Sequence, residues 1–129
     1  MNPTAGFLAS LALTLVCLGG AVLTGLKARR KPHFCFVGGA VLLLVSTIYF
    51  ALELGELYDL ESAGIVTPIH MTMARINTAA YALPLVTGLR TLKNPEGRKL
   101  HGRMAWCVLA FTVLTSLTGG LMLFWATPL

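Results

Sequence analysis

The chain has 129 residues, 56% of them apolar and 12% charged, with ten Lys/Arg against five Asp/Glu. That length leaves no room for a second domain, so residues 1–129 are expected to form one unit. The net charge of +5 does not indicate nucleic-acid binding, because the basic residues lie where an oriented membrane protein places them, beside anionic lipid headgroups.

Four apolar segments run from Gly6 to Leu26, Phe34 to Leu52, Ile65 to Leu89 and Ala105 to Thr127. Each holds about 20 residues and, at ~1.5 Å of rise per residue, covers a hydrocarbon core of roughly 30 Å. The expectation is an all-α, integral membrane four-helix up-down bundle with helices over residues 5–27, 33–55, 66–91 and 100–127. The first segment differs from a cleaved signal peptide, since nothing basic precedes it and Lys27, Arg29, Arg30 and Lys31 follow it.

The third connection carries Arg90, Lys93, Arg98, Lys99 and Arg103, so nine of the ten Lys/Arg sit at two connections. The middle connection carries Glu53, Glu56, Asp59 and Glu61 with no basic residue. Short basic loops stay in the cytoplasm, which puts both termini and the acidic loop outside. Pro68 falls in a first helical turn, where its missing N–H is harmless, whereas Pro84 lies inside the third segment and should kink it near Ala80.

Polar groups in an apolar helix are the first place to seek function, and here they are His33, His70, His101, Arg75, Glu53 and Asn77. His33 and His101 open the second and fourth segments and share one level near the cytoplasmic face, while His70 opens the third near the outer face. At about 100° per residue, the stripe from His101 passes Ala105, Val108, Thr112, Thr115 and Gly119, and that from His33 passes Val37, Ala40, Leu44, Thr47 and Ala51. The stripe through His70 passes Asn77, Tyr81, Pro84 and Gly88, which leaves space for something flat beside the two inner histidines.

Neighbouring helices roughly 8–10 Å apart give a bundle diagonal on the order of 12–14 Å, the separation two imidazoles need around one iron. A b-type haem held by His33 and His101 is therefore one reading, with Arg30, Lys99 and Arg103 placed to neutralise propionates. The other makes both histidines interfacial residues at a helix end. His70 with Met71 and Met73 would suit a soft copper ion, but methionines in an apolar helix ordinarily pack, and copper is not expected.

Arg75 lies about 140° around the helix from the His70 stripe and needs a partner, either Glu53 or a neighbouring subunit or lipid. Cys17, Cys35 and Cys107 show no metal or redox spacing and read as small buried residues; the paired glycines read as close-packing positions. No nucleophile triad, paired carboxylates in a pocket or phosphate-cradling loop suggests an enzyme.

From His33 onward the order of motifs resembles the CtaM-like family of small bacterial membrane proteins, which includes a cytochrome oxidase maturation factor. The similar elements are His33 with Tyr49, His70 with Ala74, the Pro84-Leu85 and Gly88-Leu89 stretch, and His101, Arg103, Ala105, Thr118 and Gly119. The match covers about three quarters of the chain, and the fourth segment is also similar to small b-type membrane cytochromes. The resemblance implies a haem-linked protein of the bacterial inner membrane that supports a respiratory haem-copper oxidase, with other respiratory membrane proteins as partners. A cofactor-free accessory subunit that uses Arg75 and its glycine faces is the alternative, and a transporter is disfavoured because four short helices without an inverted repeat give little room for alternating access.

Overall fold

The structure is a computed structural model that describes residues 2–129. Its long elements are all helices: α1 (Pro3–Leu26), α2 (Arg30–Gly55), α3 (Val66–Ala80), α4 (Ala82–Lys93) and α5 (Arg98–Trp125). Short 3-10 helices cover Leu60–Ala63 and Pro95–Gly97, and two-residue strands lie at Tyr58–Asp59 and Thr127–Pro128. Three helical stretches, Pro3–Leu26, Arg30–Gly55 and Pro95–Trp125, are long and apolar enough to cross a membrane, which marks a membrane protein. The chain divides into two compact units, the first ending at Tyr58 and the second comprising Asp59–Leu129.

In the first unit α1 and α2 form an antiparallel hairpin. The Asn2 side chain accepts from the Thr4 N–H at 3.0 Å and Pro3 occupies the first turn, a strong start signal. At the other end Ala28 adopts φ +53°, its N–H donates to the Gly25 carbonyl at 3.0 Å, and the Arg29 N–H donates to the Thr24 carbonyl at 2.9 Å. This pair of bonds is the Schellman closure, with alanine where glycine is usual.

The seam between α1 and α2 is built from small groups. Ser10, Thr14 and Ala21 are buried on α1, and Ala40, Thr47 and Leu54 on α2. The α2 positions recur every seven residues, the repeat that winds two helices into a left-handed coil. Phe50 and Phe36 of α2 lie over Gly6 and Gly20 of α1, where a Cβ would come within 2.6 Å of either ring. Ser10 and Thr14 hydroxyls donate to carbonyls one turn back, at 2.8 and 2.7 Å, and Thr14 and Thr47 meet at 3.3 Å. Without a hydrophobic force between helices in lipid, such close contact and hydrogen bonding hold the pair.

In the second unit α3 and α4 both pack along α5. The expected third helix over residues 66–91 is broken at Tyr81, and the cause is Pro84, which cannot donate to the Ala80 carbonyl. Proline instead takes the third position of α4, where no donor is needed. The halves have 15 and 12 residues, so neither alone reaches the length of a spanning helix. Pro68 takes the same third position in α3. On α5 the buried residues are Val108, Thr112, Thr115, Gly119 and Met122, alternating steps of four and three.

The cysteines depart from expectation. Cys17 is half-buried against Gly39, whose Cβ would lie 3.3 Å from its Sγ, but Cys35 and Cys107 are exposed on outward helix faces. In an apolar span an outward face is not polar, so a small thiol is tolerated there as readily as inside.

Candidate functional site

Each of the three histidines is held by the helix packed against its own, and in each case the imidazole sits on a glycine. His33 is the fourth residue of α2 and its ring lies over Gly25 of α1, a Cβ there falling 3.3 Å from Cε1. His101 is the fourth residue of α5 and lies over Gly88 of α4, with the corresponding distance 3.1 Å. His70, on α3, lies over Gly119 of α5 at 2.8 Å. The space that Gly88 leaves is thus taken by the His101 ring itself.

Each ring is tied through Nδ1 to an oxygen of the helix it packs on. His33 Nδ1 is 2.8 Å from the Ala21 carbonyl, which can only accept, so Nδ1 carries the proton. His101 Nδ1 is 3.3 Å from Thr87 Oγ1, whose own proton goes to the Leu83 carbonyl at 2.7 Å, so the hydroxyl oxygen accepts from Nδ1. His70 Nδ1 is 3.2 Å from Thr118 Oγ1, which donates to the Thr115 carbonyl at 2.9 Å, and the His70 ring also hydrogen-bonds the Thr115 backbone. Each imidazole thus has its Nδ1 on an oxygen of the neighbouring helix. Anchoring one ring nitrogen on an oxygen of the adjacent helix fixes the plane of the imidazole.

Around His101, Lys99 and Arg103 are exposed, and so is Arg30 three residues before His33. Those cations are available to carboxylates at a membrane surface. Near His70, Met73 Sδ is 4.0 Å from the Thr118 hydroxyl. No cluster of three or more His, Cys, Asp or Glu that could hold a metal is present among the described residues. Arg75 is exposed on α3, and Glu53 is exposed on α2.

Midway along the second unit a buried polar knot joins α3 to α5. Asn77 Nδ2 donates to Thr112 Oγ1 at 3.1 Å, Tyr81 Oη lies 3.0 Å from the same oxygen, and Thr112 donates to the Val108 carbonyl at 2.8 Å. The sequence places Asn77 and Tyr81 on the His70 stripe and Thr112 on the His101 stripe without indicating their mutual contact. Nor does the sequence mark Gly25, Gly88 and Gly119 as histidine seats: Gly88 reads there as open space, and the available signal was a glycine at the matching level of the adjacent segment. A shallow apolar groove of about 230 Å³ beside the α3–α4 break is lined by Ala80, Leu83, Met104, Cys107, Val108 and Phe111.

Compared with known proteins, the chain matches no family model, no curated protein and no solved structure.

Proposed function

We propose that the chain is a multi-pass protein of a bacterial inner membrane, a four-helix up-down bundle in which α3 and α4 together make one broken crossing. Its basic connections face the cytoplasm and both termini face outside, as the distribution of Lys and Arg requires. In this reading it belongs with the CtaM-like factors and serves the assembly or function of a respiratory haem-copper oxidase. Haem b is the group it handles, with His33 and His101 as ligands.

The observation that carries the reading is the anchoring of both inner imidazoles through Nδ1, to the Ala21 carbonyl and to Thr87 Oγ1. A ring nitrogen fixed on an oxygen of the neighbouring helix holds the imidazole still, the orientation that outer partners give a metal-ligating histidine. Haem would supply the redox or cargo chemistry. Arg103, with Arg30 and Lys99, would pair with its propionates, and Gly88 keeps the His101 ring close to α4. His70 stands as an accessory metal candidate on the outer side.

The test is a visible spectrum of detergent-purified protein, oxidised and dithionite-reduced. A Soret band that vanishes in His33→Ala or His101→Ala supports the assignment; a colourless protein expressed with ample haem refutes it.

Arg75 favours a second reading, an accessory subunit without cofactor. Its charge is exposed on α3 next to exposed Ile76, and an arginine at such a site calls for an acidic partner or lipid phosphate. Co-purification of respiratory subunits that is lost in Arg75→Leu would favour it.

A further inference from the structure

We infer that the groove beside the α3–α4 break holds one acyl chain of an anionic phospholipid, whose phosphate is met by Arg90 of α4 and Arg103 of α5. The site lies wholly within the second unit and goes beyond the haem reading.

The break gives the groove its shape. Pro84 interrupts the helix at Tyr81, whose hydroxyl turns into α5 at Thr112, and the small side chain of Ala80 is left at one wall with Leu83. Met104, Cys107 and Phe111 of α5 make the other wall, around a volume of about 230 Å³. Leu83 and Cys107 are exposed, so the groove is open along its side. None of these side chains offers water a strong hydrogen bond, and a hydrocarbon chain is the better filling.

The cations supply the second observation. His101 sits on Gly88 while Val108 shares the groove with Ala80, so α4 and α5 run antiparallel and Lys93 and Arg98 lie at the same end. Arg90 follows Leu83 by seven residues, which at about 100° per residue puts it within about 20° of the same face. Arg103 precedes Cys107 by four residues, one turn nearer the start of α5. Both arginines are exposed. This end of the unit carries Arg90, Lys93, Arg98, Lys99 and Arg103 against Glu96, the one carboxylate in residues 62–129. Basic pockets between membrane helices are suited to anionic headgroups.

The third is depth. From Arg103 to Phe111 the helix axis advances about 12 Å, close to the roughly 15 Å of hydrocarbon in one leaflet. A phosphate held at the arginines therefore delivers its chain along the groove. A packed apolar helix would cover the same walls but would make no use of two arginines at one end, and the charge decides for the lipid.

The experiment is native mass spectrometry of the full chain in detergent, titrated with phosphatidylglycerol or with phosphatidylcholine of the same acyl chains, with helicity checked by circular dichroism. Phosphatidylglycerol should bind about 30-fold more tightly, and Arg90→Gln and Arg103→Gln should each weaken it about fivefold. Leu83→Trp and Cys107→Phe fill the groove from exposed positions with every charge kept, and should each weaken it about tenfold or more. Lys31→Gln, in the first unit, should change nothing. Glycerol 3-phosphate, which has the phosphate but no chain, should fail to displace the lipid at equal concentration.

Equal binding of the two lipids overturns the inference, because the arginines then select nothing. Unchanged binding in both groove-filling variants also overturns it, leaving a surface contact with the headgroup or a groove already covered by protein. Arg90 has no part in the haem reading. Loss of lipid in Arg90→Gln with haem content unchanged supports the lipid site on its own, and a wild type that binds the lipid but no haem defeats the haem reading alone.

Discussion

The ring of His70 fills the space over Gly119, so closely that a Cβ at residue 119 would stand 2.8 Å from Cε1. Because the ring is also tied to Thr118 through Nδ1, it cannot swing clear without losing that bond. Gly119→Ala should therefore destabilise the protein by about 1–3 kcal/mol, the usual range for overpacking a close contact. Thermal unfolding in detergent, followed by circular dichroism, checks this, and Gly120→Ala is the control because nothing lies within 4 Å of a Cβ there.

Thr112 is the hub of the buried knot, receiving Asn77 and touching Tyr81. Thr112→Val keeps the shape and removes the shared oxygen, which strands the Asn77 amide in an apolar seam. The expected cost is about 1–3 kcal/mol, against about 0.5–1.5 kcal/mol for Tyr81→Phe, which removes one bond and leaves Asn77 paired. A double-mutant cycle on Asn77 and Thr112 should give a coupling of about 0.6–1.7 kcal/mol. No measurable coupling would mean that the two side chains do not bond.

Ala28 is the one described non-glycine residue with positive φ, at +53°. The left-handed region costs an L-residue roughly 1–2 kcal/mol, and glycine gives back about 0.4–1 kcal/mol of that through its freer unfolded chain. Ala28→Gly should thus stabilise the first hairpin by about 0.5–1 kcal/mol. Ala28→Val should do the reverse, because a β-branched residue tolerates this conformation least. A rise in the unfolding midpoint for glycine and a fall for valine is the expected pair of results.

What the sequence made legible follows from lengths and periods. Of the α5 stripe Ala105, Val108, Thr112, Thr115 and Gly119, the last four are buried and Ala105 is half-buried, and Pro84 marks the region of the break. The α2 stripe was less accurate. Ala40 and Thr47 are buried as expected, but Ala51 is exposed, and the seam passes through Leu54 instead. A strict step of 100° drifts by about 20° per heptad from a supercoiled seam, enough to change which residue faces the partner after two heptads. Side-chain seating was beyond reach for a different reason. Whether His33 turns toward Gly25 or away depends on rotamer choice, which is seen in the structure through its bond to the Ala21 carbonyl.

Orientation can be tested without any cofactor. Glu61 and Glu96 are both exposed, the first in the acidic connection and the second in a basic one. With Cys17, Cys35 and Cys107 replaced by alanine, Glu61→Cys should react with a membrane-impermeant maleimide on intact spheroplasts, and Glu96→Cys only after permeabilisation. The proposed orientation rests on Arg90, Lys93, Arg98 and Lys99, which flank Glu96 as the cations that short cytoplasmic loops retain, whereas the connection at Glu61 has no cation. A reversed pattern would invert the orientation and move both inner histidines to the outer surface. Equal labelling of the two sites on intact spheroplasts would mean that α3 and α4 together do not cross the bilayer, since one crossing must separate them.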